Sequence, residues 1–146
     1  MSVLPIVTGA TTPILHQPTK RVARVTKSVL ALVHDMAATV TSAEGAGLAA
    51  PQVGRRERVC LALIDGTMEP LINPDITWKS DACNTAEEGC LSLPGVWLPI
   101  KRSNEIIVRF LALDGKPREL KLSGFDARVV QHEVDHLDGV LIVDRV

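Results

Sequence analysis

Residues 123–139 read SGFDARVVQHEVDHLDG, and how that stretch is read decides the fold. Phe125, Val129, Val130, Val134 and Leu137 recur at helical spacing. They predict a helix from about Gly124 to Leu137 that buries those five side chains. Ser123 stands at the N-cap position and Asp126 three residues later, the pattern of a capping box. Gly139 lies just past the end, where a helix commonly stops. Inside the helix is His132-Glu133-Val134-Asp135-His136. Residues four apart lie one turn apart on one face, so both imidazoles can reach a single metal ion. Glu133, beside them, is placed to handle the proton of a water at that metal.

Such a site needs a third protein ligand and one open position. Downstream of His136 the chain reads LDGVLIVDRV. A third histidine six residues on, which one group of zinc peptidases uses, is replaced here by Ile142. No Glu follows Glu133, and Asp138 and Asp144 sit at poor offsets, so the third ligand is expected upstream. His16 lies in a Pro-containing arm and reads as exposed. His34 flanks an apolar stripe and reads as solvated. Cys60 alternates with Val59 and Leu61 and reads as core. Cys83 sits in a polar stretch and reads as an exposed thiol. Cys90 differs, standing after a glycine in Glu87-Glu88-Gly89-Cys90-Leu91-Ser92 with an acid two residues before it. A plain buried cysteine is its alternative reading. With no better third ligand, Cys90 leads.

Working outward, Val29, Leu32, Val33, Met36 and Val40 predict an N-terminal helix over Thr26 to Val40, ending before Glu44-Gly45. Val59 to Ile64 reads as a strand, and Leu71 to Trp78 as another broken by Asn73-Pro74. Glu105 to Leu113 and Arg118 to Leu122 read as a hairpin about Asp114-Gly115. Residues 1–20 read as an extended arm. The expected class is α+β: an N-terminal helix, central antiparallel or mixed strands, and a C-terminal metal-binding helix.

At 146 residues, one domain spanning 1–146 is expected. With two Phe, two Trp and no Tyr, the core must be aliphatic. A net charge of −1 with mixed signs argues against nucleic-acid binding, and Lys20, Arg21, Arg24 and Lys27 read as a solvated face. No apolar run reaches membrane-spanning length. Three cysteines and no secretion signal fit a reduced, cytoplasmic setting.

One further segment is unusual: Gly45-Ala46-Gly47-Leu48-Ala49-Ala50-Pro51-Gln52. It lacks the third glycine and preceding strand of a dinucleotide fingerprint. Its glycines permit close approach of backbone to a ligand, and the Gln52 amide offers N–H donors to an oxyanion. Taken in order, G-x-G-L-A-A-x-Q at 45–52, E-G-C-L-S at 88–92 and H-E-x-D-H at 132–136 resemble the three motifs of the peptide deformylases. The resemblance spans most of the chain. It implies a metal-dependent hydrolase that removes the formyl group from N-terminal formyl-methionine of new polypeptides. It implies Cys90, His132 and His136 as metal ligands and Glu133 as acid/base. Gln52 and the Leu91 backbone N–H would hold the oxyanion, with Gly47 in the catalytic set. It suggests iron(II) as the native ion, with zinc, nickel or cobalt as replacements, and transient proximity to the ribosome. Two positions depart from the pattern. Ala46 stands where many relatives carry a larger aliphatic residue, and the chain stops at Val146 where many bacterial relatives continue into a further helix.

The ligand set suits the reaction. One thiolate leaves a divalent ion with less charge than three imidazoles would, so water is less acidified and Glu133 has to carry its proton. Val129, one turn before His132, is expected to wall an apolar substrate pocket, and Asp135 to pair with Arg102 and orient the ligand helix. Three other readings compete: an HExxH peptidase, a copper or other non-catalytic metal protein, and a degenerate binding module. The first two lack, respectively, a downstream ligand and an axial one.

Overall fold

A computed structural model describes residues Met1–Val146. The first helix, α1 (Lys27–Ser42), begins where Thr26 accepts a side-chain hydrogen bond from the Val29 N–H at 3.3 Å. Seven strands follow: β1 (Gly47–Ala49), β2 (Val59–Ile64), β3 (Thr67–Lys79), β4 (Cys83–Cys90), β5 (Leu93–Ser103), β6 (Glu105–Leu111) and β7 (Pro117–Ser123). The second helix, α2 (Gly124–Leu137), closes the fold and is followed by one 3-10 turn, Ile142–Asp144. Five strands form an antiparallel sheet in the order β1-β2-β3-β6-β7; β4 and β5 form a separate antiparallel hairpin.

The sheet separates the helices by simple alternation. Cys60, Ala62 and Ile64 of β2 pack with α2, while Val59 and Leu61 pack with α1. Successive strand residues point to opposite faces, so α1 and α2 cover opposite sides of one sheet. A third cluster joins Leu15 of the arm, Leu93 and Ile100 of the hairpin, and Leu141 and Ile142 of the tail.

The α+β expectation holds, as do β2 and both helices to within two residues or so. Some particulars differ. The break at Asn73-Pro74 does not end β3; the register shifts there while the strand continues. Asn73 takes a left-handed φ of 52°, and its amide clasps Val22 through two 2.8 Å hydrogen bonds. The capping box does not form. Ser123 makes no capping bond, and Asp126 instead accepts from the Asp65 N–H at 3.1 Å. Phe125 is 61% exposed rather than buried; it stands at the start of α2, directly after the edge strand β7, and lines a cleft. The β4–β5 hairpin escaped the sequence reading. Its first strand, CNTAEEGC, is mostly exposed and shows no apolar alternation.

Candidate metal centre and cleft

His132 and His136 sit one turn apart on α2, their rings tilted by 58°, with centroids 4.9 Å apart and Nε2 atoms 3.1 Å apart. Cys90 arrives from the end of β4, where a bulge between Gly89 and Cys90 turns the chain. Its Sγ lies 3.3 Å from His136 Nε2, and the ligand atoms of Cys90, His132 and His136 all fall within 4.8 Å of one another. Tetrahedral coordination at ordinary Zn–N and Zn–S lengths requires donor separations of roughly 3.3–3.6 Å. Two of the three separations, 3.1 and 3.3 Å, lie close to that range, and the third is bounded by 4.8 Å, so the three atoms can draw together around one metal ion.

The ring that must present Nε2 is oriented from behind. Glu88 Oε1 lies 2.8 Å from His132 Nδ1, so the Nδ1–H donates to the carboxylate and Nε2 faces the centre. Glu88 is itself held by Arg102 (Nε 3.0 Å, Nη2 2.9 Å) and by Arg128 Nη1 at 2.5 Å. Burial pushes the Glu88 carboxyl up, but hydrogen bonds from His132 and Arg102 outweigh it and hold the pKa at about 2. Burial pushes His132 down, yet its bonds to Cys90 and Glu88 carry it to about 10. The proton held there is one that a cation at Nε2 displaces. Burial and the charge of His132 drive His136 well below its usual value, so that ring is neutral and ready to ligate.

Glu133 follows His132 on α2 and lines the same cleft. It is buried, its Oε1 has no hydrogen-bond partner, and burial raises its pKa to about 7. Gly47 lies against it. A Cβ there would sit 2.5 Å from Glu133 Oε2, so any side chain at this position would displace the carboxylate. Gln52 is fixed at both ends of its amide: Oε1 accepts from the Ala49 N–H at 2.9 Å, and Nε2 donates to Ser92 Oγ at 3.1 Å. The same Nε2 lies 3.7 Å from Cys90 Sγ. These groups face a cleft of about 620 Å³ that Ala46, Leu91, Trp97, Phe125 and Val129 help to line. Val129 is both core and wall, since it also belongs to the cluster under α2.

All seven residues singled out in the sequence thus converge. The structure pairs Arg102 with Asp135 at 2.5 Å, as expected. The other candidates stay apart: His16, His34 and Cys83 are exposed, and Cys60 lies in the core. Sequence reading missed Glu88, Arg128, Ser92 and Arg145. The acid two residues before Cys90 was visible, but nothing in the sequence tied it to His132. It also missed what the arm does. The Val7 N–H donates to the Gln52 carbonyl at 2.7 Å, the Gly9 N–H to the Ser92 carbonyl at 2.9 Å, and the Thr19 N–H to the Leu137 carbonyl at 2.9 Å. The first two motif segments, and the residue that follows the third, are therefore tied to residues 1–20.

Comparison with known proteins gives a consistent result. A family model described as polypeptide deformylase matches residues 3–146. Peptide deformylase 2 of Prochlorococcus marinus (strain MIT 9313) is 47% identical over 138 residues, covering 91% of this chain and 69% of that protein. The crystal structure of peptide deformylase from Thermotoga maritima matches with a TM-score of 0.96 at 36% identity, over 100% of this chain and 99% of the other. A class I type b peptide deformylase from Acinetobacter baumannii, crystallised with Met-Ala-Ser bound, matches at 0.95 and 34% identity over 100% of both chains.

Proposed function

The chain belongs to the polypeptide deformylase family, metal-dependent hydrolases that remove the N-formyl group from nascent peptides, and from that premise we propose a role for each group at the cleft. The observation that carries the reading is the meeting of Cys90, His132 and His136 within 4.8 Å, beside a cleft that Gln52 and Glu133 also line. Residues 1–146 act as one catalytic unit in this reading, because the arm, the hairpin and the last helix each supply part of the site.

Cys90 Sγ, His132 Nε2 and His136 Nε2 hold one divalent cation, which when bound supplies Lewis acidity toward water and the formyl carbonyl. Glu133 takes a proton from the attacking water as its oxygen bonds to the formyl carbon. It then delivers that proton to the departing nitrogen as the C–N bond breaks, leaving formate and a free amine. A carboxyl lifted to about 7 is poised to do both. The Gln52 Nε2–H and the Leu91 N–H take up the charge that develops on the carbonyl oxygen. Gly47 leaves room for Glu133, and Val129 and Leu91 receive the methionine side chain. The Acinetobacter baumannii relative with Met-Ala-Ser bound supports this, since that tripeptide is what deformylation of formyl-Met-Ala-Ser would release.

Iron(II) is the resident ion in this reading, with zinc, nickel or cobalt as replacements, since mixed imidazole and thiolate hold all four. Activity then fades in air as iron or Cys90 oxidises. Work on nascent chains implies a cytoplasmic setting and transient proximity to the ribosome, without nucleic-acid recognition. No helix is long and apolar enough to cross a membrane.

The test is anaerobic purification with elemental analysis, followed by formate release from formyl-Met-Ala-Ser. Glu133→Gln should bind metal as wild type does and lose about 10²- to 10⁴-fold in turnover. Retained turnover in that variant would overturn the assignment of Glu133.

A further inference from the structure

We propose that Arg145, in the turn after α2, is a positioning residue for the metal ligand His132, acting through Asp135, Arg102 and Glu88. The proposal rests on the reading of Cys90, His132 and His136 as metal ligands. From the tail inward, Arg145 grips Asp135 with both arms of its fork: Nη2 to Oδ1 at 2.7 Å and Nε to Oδ2 at 3.0 Å. Asp135 Oδ2 accepts from Arg102 Nη1 at 2.5 Å. Arg102 donates to Glu88 through Nε and Nη2, and Glu88 accepts from the His132 ring at 2.8 Å.

Three features make this a connected device and not a row of separate pairs. First, Arg102 is only 5% exposed and its planar fork is shared between two acids, so its orientation depends on both. Second, Arg145 supplies the only hydrogen bond that Asp135 Oδ1 receives. Without it that oxygen, in a mostly buried carboxylate, must turn toward water, and Oδ2 turns with it away from Arg102. Third, the groups between Arg145 and the ring are nearly dry, so each ion pair is weakly screened and geometry propagates. Arg145 itself is 42% exposed, which makes it replaceable without opening the core.

Cobalt(II) alone is the probe. The wild-type chain, stripped of metal and loaded anaerobically, should take up one cobalt per chain, with visible ligand-field bands. Loss to excess chelator then gives a dissociation rate. Arg145→Gln should speed that loss by about 3- to 10-fold, below the roughly 10- to 100-fold typical of partners that touch a metal ligand directly. Its ligand-field bands should shift, and kcat on formyl-Met-Ala-Ser should fall while KM holds. Arg145→Lys, which keeps the charge but not the fork, should fall between.

Asp144 provides the control. It closes the same turn, accepting from the Leu141 N–H at 2.8 Å, but makes no bond to Asp135. Asp144→Ala should release cobalt as wild type does. In a Glu88→Ala background, Arg145→Gln should add nothing further, because the last link is already cut. If the wild-type chain binds no cobalt, the ligand reading fails and the proposal falls with it. If wild type binds and Arg145→Gln releases at the same rate, only the proposal fails. It fails too if Asp144→Ala matches Arg145→Gln, since anchoring of the turn would then explain both.

Discussion

The two helices cover opposite faces of one sheet and have similar lengths, 16 residues for α1 and 14 for α2, yet they are buried on different terms. The buried side of α1 is Val29, Leu32, Val33, Met36 and Val40, with Thr39 the one polar member. Thr39 donates to the Asp35 carbonyl at 2.6 Å on its own helix and accepts from the Leu4 N–H at 2.8 Å. The buried side of α2 holds Arg128, Gln131, Glu133, Asp135 and His136 among its apolar residues. Those polar groups are met from elsewhere: Gln131 by the Ser103 backbone, Arg128 by Glu88 and the Ile100 carbonyl. Glu133 Oε1 and His136 Nδ1 have no protein partner at all. Apolar burial needs only volume and shape, whereas buried polar groups must be matched atom by atom. The first face builds a core; the second spends stability on a reactive centre.

Substitutions can break that contrast. The largest effect is expected from Gly47→Ala. The new methyl collides with Glu133 Oε2 and moves the proposed base, so formate release should drop by about 10²- to 10⁴-fold, the usual worth of a positioned general base. Circular dichroism should show the fold intact. Normal turnover in Gly47→Ala would mean that the Glu133 carboxylate has freedom the packing denies.

On the α1 face the expectation inverts. Met36→Ala, at a fully buried position, should cost about 2–5 kcal/mol of unfolding free energy and leave kcat per folded molecule near wild type. A chemical denaturation curve and an active-site titration would together separate the two quantities. A large fall in kcat there would erase the distinction between the faces.

A smaller effect is expected from acid. Glu88 titrates at about 2 in the folded chain, against an ordinary value of 4.5. Its contribution is therefore complete above about pH 4.5 and is lost as pH falls from there toward 2. For a shift of that size the loss is on the order of 3 kcal/mol. Urea midpoints of metal-free protein at pH 5 and pH 3 capture about 2 kcal/mol of it, and Glu88→Gln should flatten the difference. An unchanged pH slope in that variant would place the acid sensitivity elsewhere.

Phe125→Ser should change stability least, within about 0.5 kcal/mol, because the ring is mostly in solvent at the cleft mouth. A cost of several kcal/mol would restore it to the core, where its helical spacing first put it.

Periodicity read the apolar half of this molecule well. It located α1 and α2, and β2 to the residue, because burial against a sheet leaves a repeating mark on neighbouring positions. It erred where an amphipathic pattern outran the sheet, at Phe125, and where polar residues form strands without alternation, at β4. The chemistry was legible for a different reason. Two ligands on one turn are a local relation, and motif order supplied Cys90. Glu88, Arg128 and Arg145 were not legible in the same way. Glu88 finds His132 across 44 positions and Arg128 across 40, and no spacing rule links them.

By itself, then, the amino-acid order determined what is short-range: which segments coil, which extend, and that two imidazoles share a face. Only the tertiary structure decided which carboxylate steadies which ring, why a side chain at Gly47 would displace Glu133, and how the arm ties two motif segments and the end of α2 together. The reason is physical. Helical and strand preferences act over a few residues, whereas a buried charge is satisfied by whichever partner the completed fold brings within about 3 Å.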